Sequence, residues 1–271
     1  MIQNRLTDVP ETMLITLWAK AEEAKRADAL LYDEKAVEII QKIEYDFSKF
    51  SKGKFSQAGC CIRASLIDRE AKEFFAKHPD AVVVQLGAGI DARYERLGCP
   101  AITHWYDLDL EEAINLRRQL LSESERNTYI SSSMFHYDWA DKVNSHGKPV
   151  LIILEGVLMY FTPEEVRGFF DEICKRFSNA TVLFDMLAFS LVGNSKRHDT
   201  LRNFGKNVEF NWSLLATKEM ETWHPKIKLE KEYYMSQHDN GRIPFIFRML
   251  YKIPYFFRRF NQRIVNLRIG R

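Results

Sequence analysis

The chain has 271 residues, of which 46% are hydrophobic and 28% charged, with a formal net charge of +2. That length can bury a sizeable α/β core, and the balance is ordinary for a globular protein, which excludes disorder and gives no ground for a nucleic-acid partner. Cys60, Cys61, Cys99 and Cys174 are too few and scattered for a disulfide framework, and neither they nor the seven histidines show metal-ligand spacing, so no metal is expected.

Residues 1–78 read as helices. Asp8 and Pro10 are start signals for a first helix, with Met13, Leu14, Leu17, Trp18 and Ala21 recurring at helical spacing. A second helix follows Asp33, with Val37, Ile40 and Phe47 on one face, and a third is predicted over 57–77. These helices cannot join a parallel sheet and must pack beside it or over its ligand edge. On the third, Arg63 sits among small and apolar residues, CCIRASLID, a poor place for a guanidinium without an anionic partner. It is suited to a ligand carboxylate, or to pairing with Asp68.

The chain is organised around AVVVQLGAGIDAR at 81–93. Val82, Val83 and Val84 predict a buried parallel strand; Gly87, Ala88 and Gly89 then turn the chain so that a ligand can approach the backbone, with a helix expected from about Ile90. Gly87, Gly89 and Ala92, with Asp107 twenty residues past Gly87, fit the dinucleotide fingerprint, so spacing alone leaves NAD open. Asp91, however, places a carboxylate where a pyrophosphate would lie. S-adenosylmethionine has no phosphates and carries an ammonium and a sulfonium, and it is favoured on that ground.

A second strand is expected over 102–107, with Asp107 or Asp109 at its end able to take ribose hydroxyls or to cap the next helix; Glu111 and Glu112 ahead of Arg117 and Arg118 match that helix's dipole. A third strand over 129–134 leads into HYDWAD, where Asp138 and Trp139 offer the acceptor and flat surface an adenine needs, or alternatively a turn acid and a core ring. PVLIILEGVLMYF is a buried strand ending at Glu155, in the crevice where open α/β sheets bind ligands. Glu155 is interrupting the most apolar run of the chain, which is also too short to span a bilayer; with no signal peptide at the start, a cytoplasmic protein is expected. Thr162, Pro163 and Glu165 form a capping box for a helix to about Arg176, and 180–186 is a fifth strand.

Residues 187–225 lose strand character and read as a helical insert that helps build the acceptor pocket, carrying Arg197, His198, Arg202, Phe204, Phe210 and Trp212. Residues 226–234 and 245–253 are expected to form a final strand pair about a turn at Asp239, Asn240 and Gly241. From Gly241 to Arg271 there are eight Lys or Arg and no acid. That basic, aromatic end suits an anionic partner, a protein or a membrane surface, or a last strand and helix laying their arginines over the domain.

LGAGIDARYERL, WYDLDL, HYDW and EGVLMYF, in this order and spacing, resemble the leucine carboxyl methyltransferase family, including its bacterial polyketide O-methyltransferase branch. The likeness runs over residues 63–184. It implies an α/β, Rossmann-like class I S-adenosylmethionine-dependent methyltransferase fold: one domain with a seven-stranded sheet, mostly parallel with the last strand antiparallel, a helical cap over 1–78, a cofactor-binding core over 79–186, the insert, and final strands with a basic tail over 226–271. By that resemblance Arg63 holds the methionine carboxylate, Gly87 contacts the cofactor and Asp109 takes the ribose. Asp138 and Trp139 then contact adenine, Glu155 is the acid after the fourth strand, and Tyr160 lies near the acceptor. The expected reaction is methyl transfer to a carboxylate, which needs no base, or to a hydroxyl of a small molecule, for which His136, Glu155 or His198 are the candidate bases. The alternatives are a protein or peptide carboxyl methyltransferase, an NAD-dependent oxidoreductase, and a non-catalytic protein binding the adenosyl cofactor. Acceptor identity and oligomeric state are not legible.

Overall fold

The structure, a computed structural model, describes residues 12–51, 53–194, 209–238 and 241–270. Three helices come first: α1 (Thr12–Glu23), α2 (Glu34–Lys42) and α3 (Lys54–Lys77). Asp33 starts α2 as expected, its side chain accepting from the Ala36 amide at 2.9 Å. That helix ends at Lys42, and Phe47 belongs to a separate 3-10 turn, Phe47–Phe50, so it does not extend the α2 face. Asp8 and Pro10 lie outside the described residues.

The strands are β1 (Val82–Leu86), β2 (His104–Asp109), β3 (Asn127–Ser131), β4 (Val150–Leu154), β5 (Asn179–Met186), β6 (Ile227–Tyr234) and β7 (Arg263–Gly270). They form one seven-stranded sheet in the order β3-β2-β1-β4-β5-β7-β6. The first five are mutually parallel, and β7 runs antiparallel to both neighbours. Between them lie α4 (Arg93–Arg96), α5 (Glu111–Leu120), α6 (Asp138–Asn144), α7 (Pro163–Arg176), α8 (Phe245–Leu250) and α9 (Pro254–Phe260).

The unbroken Val82–Val84 run follows from burial on both faces. Val82 and Val84 pack with Val166, Phe169 and Phe170 of α7 on one face, and Val83 packs with Ile62, Leu66 and Ile67 of α3 on the other. α7 begins with the expected box: the Thr162 side chain accepts from the Glu165 amide, and Glu165 accepts from the Thr162 amide. α1 and α2 pack with Ile90, Met159, Leu187 and Phe210, which lies over the carboxyl ends of the central strands.

The expected partner strand over 245–253 is not formed. Residues 245–250 are α8, begun by Pro244, and the strand that pairs with β6 is β7. The basic stretch is therefore not a tail. Residues 241–262 are a helical crossover between two paired strands, and residues 263–270 form a buried strand of the sheet.

Candidate functional site

The strand order reverses between β1 and β4, the switch point at which the loops leaving two adjacent parallel strands diverge and open a crevice. Gly87 has φ +68°, and a Cβ there would clash with Val157 in the loop after β4. Glycine is needed for both reasons. The helix expected from Ile90 is shorter than foreseen: α4 is one turn beginning at Arg93, and the Gly89 amide is already donated to Asp109 Oδ2 at 2.7 Å.

A cavity of about 730 Å³ fills this crevice, within the range of roughly 300–1,000 Å³ typical of small-molecule sites. Its lining includes Arg63, Gly87, Ala88, Gly89, Asp91, Asp109, Glu155 and Tyr160, so the structure brings eight of the expected residues together. The remaining two are not among them. Trp139 is buried, stacks on Phe177 and donates its indole N–H to the Met134 carbonyl at 3.0 Å. It is a core ring. Asp138 is exposed at the start of α6 and does not line the cavity.

The two candidate ribose acids separate cleanly. Asp107 is fully buried and receives Arg117 at 2.7 Å, Asn127 at 2.9 Å and the Trp105 indole at 3.0 Å. Asp109, at the end of β2, lines the cavity and accepts one backbone N–H on each oxygen, from Gly89 and from Leu110. Each oxygen keeps a lone pair for another donor. Burial pushes the Asp109 carboxyl up, against those two amides and Arg117. Arg117, expected only to suit the α5 dipole, is buried and also donates to the Gly89 and Asp91 carbonyls, so it fixes the glycine turn from below.

At the other end of the cavity lies a buried ion cluster. Arg63 reaches Glu155 at 3.2 Å and Asp185 at 3.1 Å rather than Asp68. Asp68 instead holds Arg93 and Arg96, both of which also reach Asp91. Arg93 donates to Glu155 as well, Arg96 reaches Asp33, and Lys20 of α1 lies 2.6 Å from Asp91 and 4.0 Å from Glu155. Four cations thus meet five carboxylates. The cluster carries one negative charge in excess, with Arg63, Asp91 and Glu155 at the cavity wall. Burial raises the Glu155 carboxyl, but Lys20, Arg93 and Arg63 outweigh it and hold it down to about 2. Asp91 is likewise held well below the usual carboxylate range, mainly by Arg96, Lys20 and Arg93 acting against burial. Glu155 is therefore an anion at neutral pH but a weak base, with both oxygens engaged by arginines, a poor match for the general-base role foreseen for it.

Lys20, Gln85 and Asp185 were not singled out from the sequence. Lys20 stands three residues after Leu17 in the apolar stripe of α1, the same anomaly that exposed Arg63, and would have been found by the same argument. Of the insert residues, Phe210 lines the cavity 5.8 Å from the Tyr160 ring, but Trp212 is a core residue packed on Phe184 and Trp223. Arg197, His198, Arg202 and Phe204 lie outside the described residues. The crossover supplies much of the remaining wall, including Phe247, Tyr251 and Phe256.

An adenosyl amino acid matches this donor set. Arg63 Nη2 has no hydrogen bond among the described residues and is within reach of the cavity wall beside Gly156, the excess anion suits an ammonium and sulfonium, and Asp109 keeps acceptors for a diol. A seven-stranded sheet of this order with such a crevice defines a class I S-adenosylmethionine-dependent methyltransferase. Solved structures share that fold: a DUF574-family protein from Streptomyces avermitilis aligns with a TM-score of 0.54 and 12% identity, covering 94% of this chain and 97% of that one. The mycolic acid cyclopropane synthase CmaA1, crystallised with S-adenosylhomocysteine, aligns at 0.51 with 12% identity over 94% and 97%.

Residues 13–174 match the leucine carboxyl methyltransferase family, and the chain belongs to it. It is 30% identical to the tetracenomycin polyketide synthesis O-methyltransferase TcmP of Streptomyces glaucescens, covering 85% of this chain and 84% of that protein. It is 29% identical to the S-adenosyl-L-methionine-dependent methyltransferase dpfgK of Gibberella zeae, over 88% and 86%. The enzyme is thus a methyltransferase that uses S-adenosylmethionine, and the nicotinamide alternative falls with that assignment.

Proposed function

We propose that the protein methylates an oxygen of a small, largely apolar molecule, and that this oxygen belongs to a carboxylate. The observation that carries the second half is the state of the cavity's titratable groups. Glu155 and Asp91 are locked as anions by their cations, while burial raises the Tyr160 phenol and the Cys60 thiol and keeps both protonated. His136 does not line the cavity. Among the described residues, nothing at this end of the site is placed to take a proton from a hydroxyl at neutral pH. A carboxylate needs no such help, since it arrives ionised.

S-adenosylmethionine, when bound, supplies an electrophilic methyl on its sulfonium. The chain's own residues bind and orient. Arg63 is suited to the methionine carboxylate, Asp91 and Glu155 to the charge balance around the ammonium, and Asp109 to the ribose, while Gly87, Ala88 and Gly89 let the backbone come close. Tyr160 and Phe210 wall the acceptor side, where the protonated phenol can donate to an acceptor oxygen and hold it within about 3–3.5 Å of the methyl carbon. The name of the Streptomyces relative supports a polyketide-like acceptor, and the four free cysteines suit the reducing cytoplasm.

The test is a titration with S-adenosylmethionine and NAD in parallel, followed by radiolabelled methyl transfer to matched aromatic carboxylic acids and phenols. Saturable binding of the first ligand and label released by mild alkali, as expected of a methyl ester, support the reading. Alkali-stable label on the phenols would refute the carboxylate assignment.

A further inference from the structure

Among the described residues, eleven large hydrophobic side chains are exposed, and seven of them lie between Phe245 and Phe260. Phe245 is 75% exposed, Ile246 63% and Tyr255 60%. Single exposed apolar residues need no explanation, but a concentration of this kind on one short segment marks an interaction surface. The same crossover carries Lys252, Arg258 and Arg259, none of which meets a carboxylate among the described residues; Arg259 lies over the rings of Phe189 and Tyr255. Arg242, by contrast, is neutralised by Glu23 and Asp28.

We propose that this face docks on an anionic lipid bilayer, with Phe245, Ile246 and Tyr255 entering the interface and Lys252 and Arg258 at the headgroups. Exposed aromatic and aliphatic side chains with interspersed cations and no acid are what such a surface recognises. A two-fold contact with a second copy fits less well, because it brings two copies of the same cationic, acid-free face together. Phe55, Phe247 and Phe260 line the catalytic cavity and are also exposed, so docking places the edge of the cavity at the lipid surface.

The test is flotation of the full chain with phosphatidylcholine vesicles, with and without a large fraction of phosphatidylglycerol, at low and high salt. It involves no methyl transfer, so its result is independent of the function proposed above. Binding is expected only to the anionic vesicles and to fall at high salt. Lys252→Ala with Arg258→Ala should lower the partition about twenty-five-fold, at roughly fivefold per cation, and Phe245→Ser with Ile246→Ser should abolish it. Lys72→Ala, on the exposed side of α3 and off this face, should leave the partition unchanged. Absence of binding, equal or salt-insensitive binding to neutral vesicles, or unchanged binding by the double variants overturns the proposal. So does a dimer in sedimentation that Phe245→Ser dissociates, which would assign the face to self-association.

Discussion

Glu155→Gln tests the ion cluster most directly. The substitution keeps the shape and removes the charge that faces Arg63, Arg93 and Lys20. Removing one partner of a buried pair costs about 3–5 kcal/mol when the other is left uncompensated. Here each cation keeps a second carboxylate, Asp185 for Arg63, Asp68 and Asp91 for Arg93, and Asp91 for Lys20, so the low end applies, about 3 kcal/mol. The pH dependence gives a second route to the same figure. A folded carboxyl at about 2, against an ordinary 4.5, is a depressed group. Its stabilisation is complete above the unfolded value and lost as pH falls through the folded one, on the order of 3 kcal/mol in all. Urea unfolding of both proteins should therefore show a gap of about 3 kcal/mol at neutral pH that has narrowed by about 2 kcal/mol at pH 3. A variant as stable as the parent at pH 7, or a gap that does not close in acid, would refute the account of the cluster.

Asp109→Ala should weaken S-adenosylmethionine by about ten- to a hundred-fold in calorimetry, the worth of hydrogen bonds to a charged acceptor, and Asp109→Asn by less. Trp139→Phe should lower stability by about 1–3 kcal/mol through a lost hydrogen bond and incomplete packing, yet leave the cofactor Kd unchanged, because the ring faces the core. Gly89→Ala forces φ +51° on a residue with a Cβ and brings that atom to 2.6 Å from the mobile end of Met13. A loss of about 1–2 kcal/mol in thermal or urea unfolding is expected together with weaker cofactor binding, and Gly89→Val should be worse on both counts.

The sheet's core was legible because its strands are buried on both faces and its glycine turn admits few other readings. Arg63 was legible because a guanidinium in an apolar helix demands a partner. The choice between Asp107 and Asp109 was not legible from the strand pattern, although the family resemblance pointed to Asp109. Placing β2 two residues early made Asp107 look like the strand's end, when it lies inside under Arg117 and Asp109 is the last residue. Trp139 misled because a ring beside an acid looks the same whether it faces a ligand or a core; only packing decides. At 245–253, aromatic and branched residues outweighed Pro244 and Pro254, whose placement at the starts of two short helices breaks up any strand there.

The ion cluster also bears on how the enzyme comes into being. Its members are drawn from α1, the start of α2, α3, the loop after β1, α4, and the ends of β4 and β5, with Lys20 71 residues from Asp91, and Arg63 92 from Glu155 and 122 from Asp185. Closing such long loops costs chain entropy, and stripping water from each charge repays only once its counterparts have arrived. The cluster therefore forms only once α1 and α3 have docked against the sheet. Cofactor capture is then confined to chains whose N-terminal helices have already docked, and ligand binding stabilises the finished molecule by mass action without trapping an unfinished one.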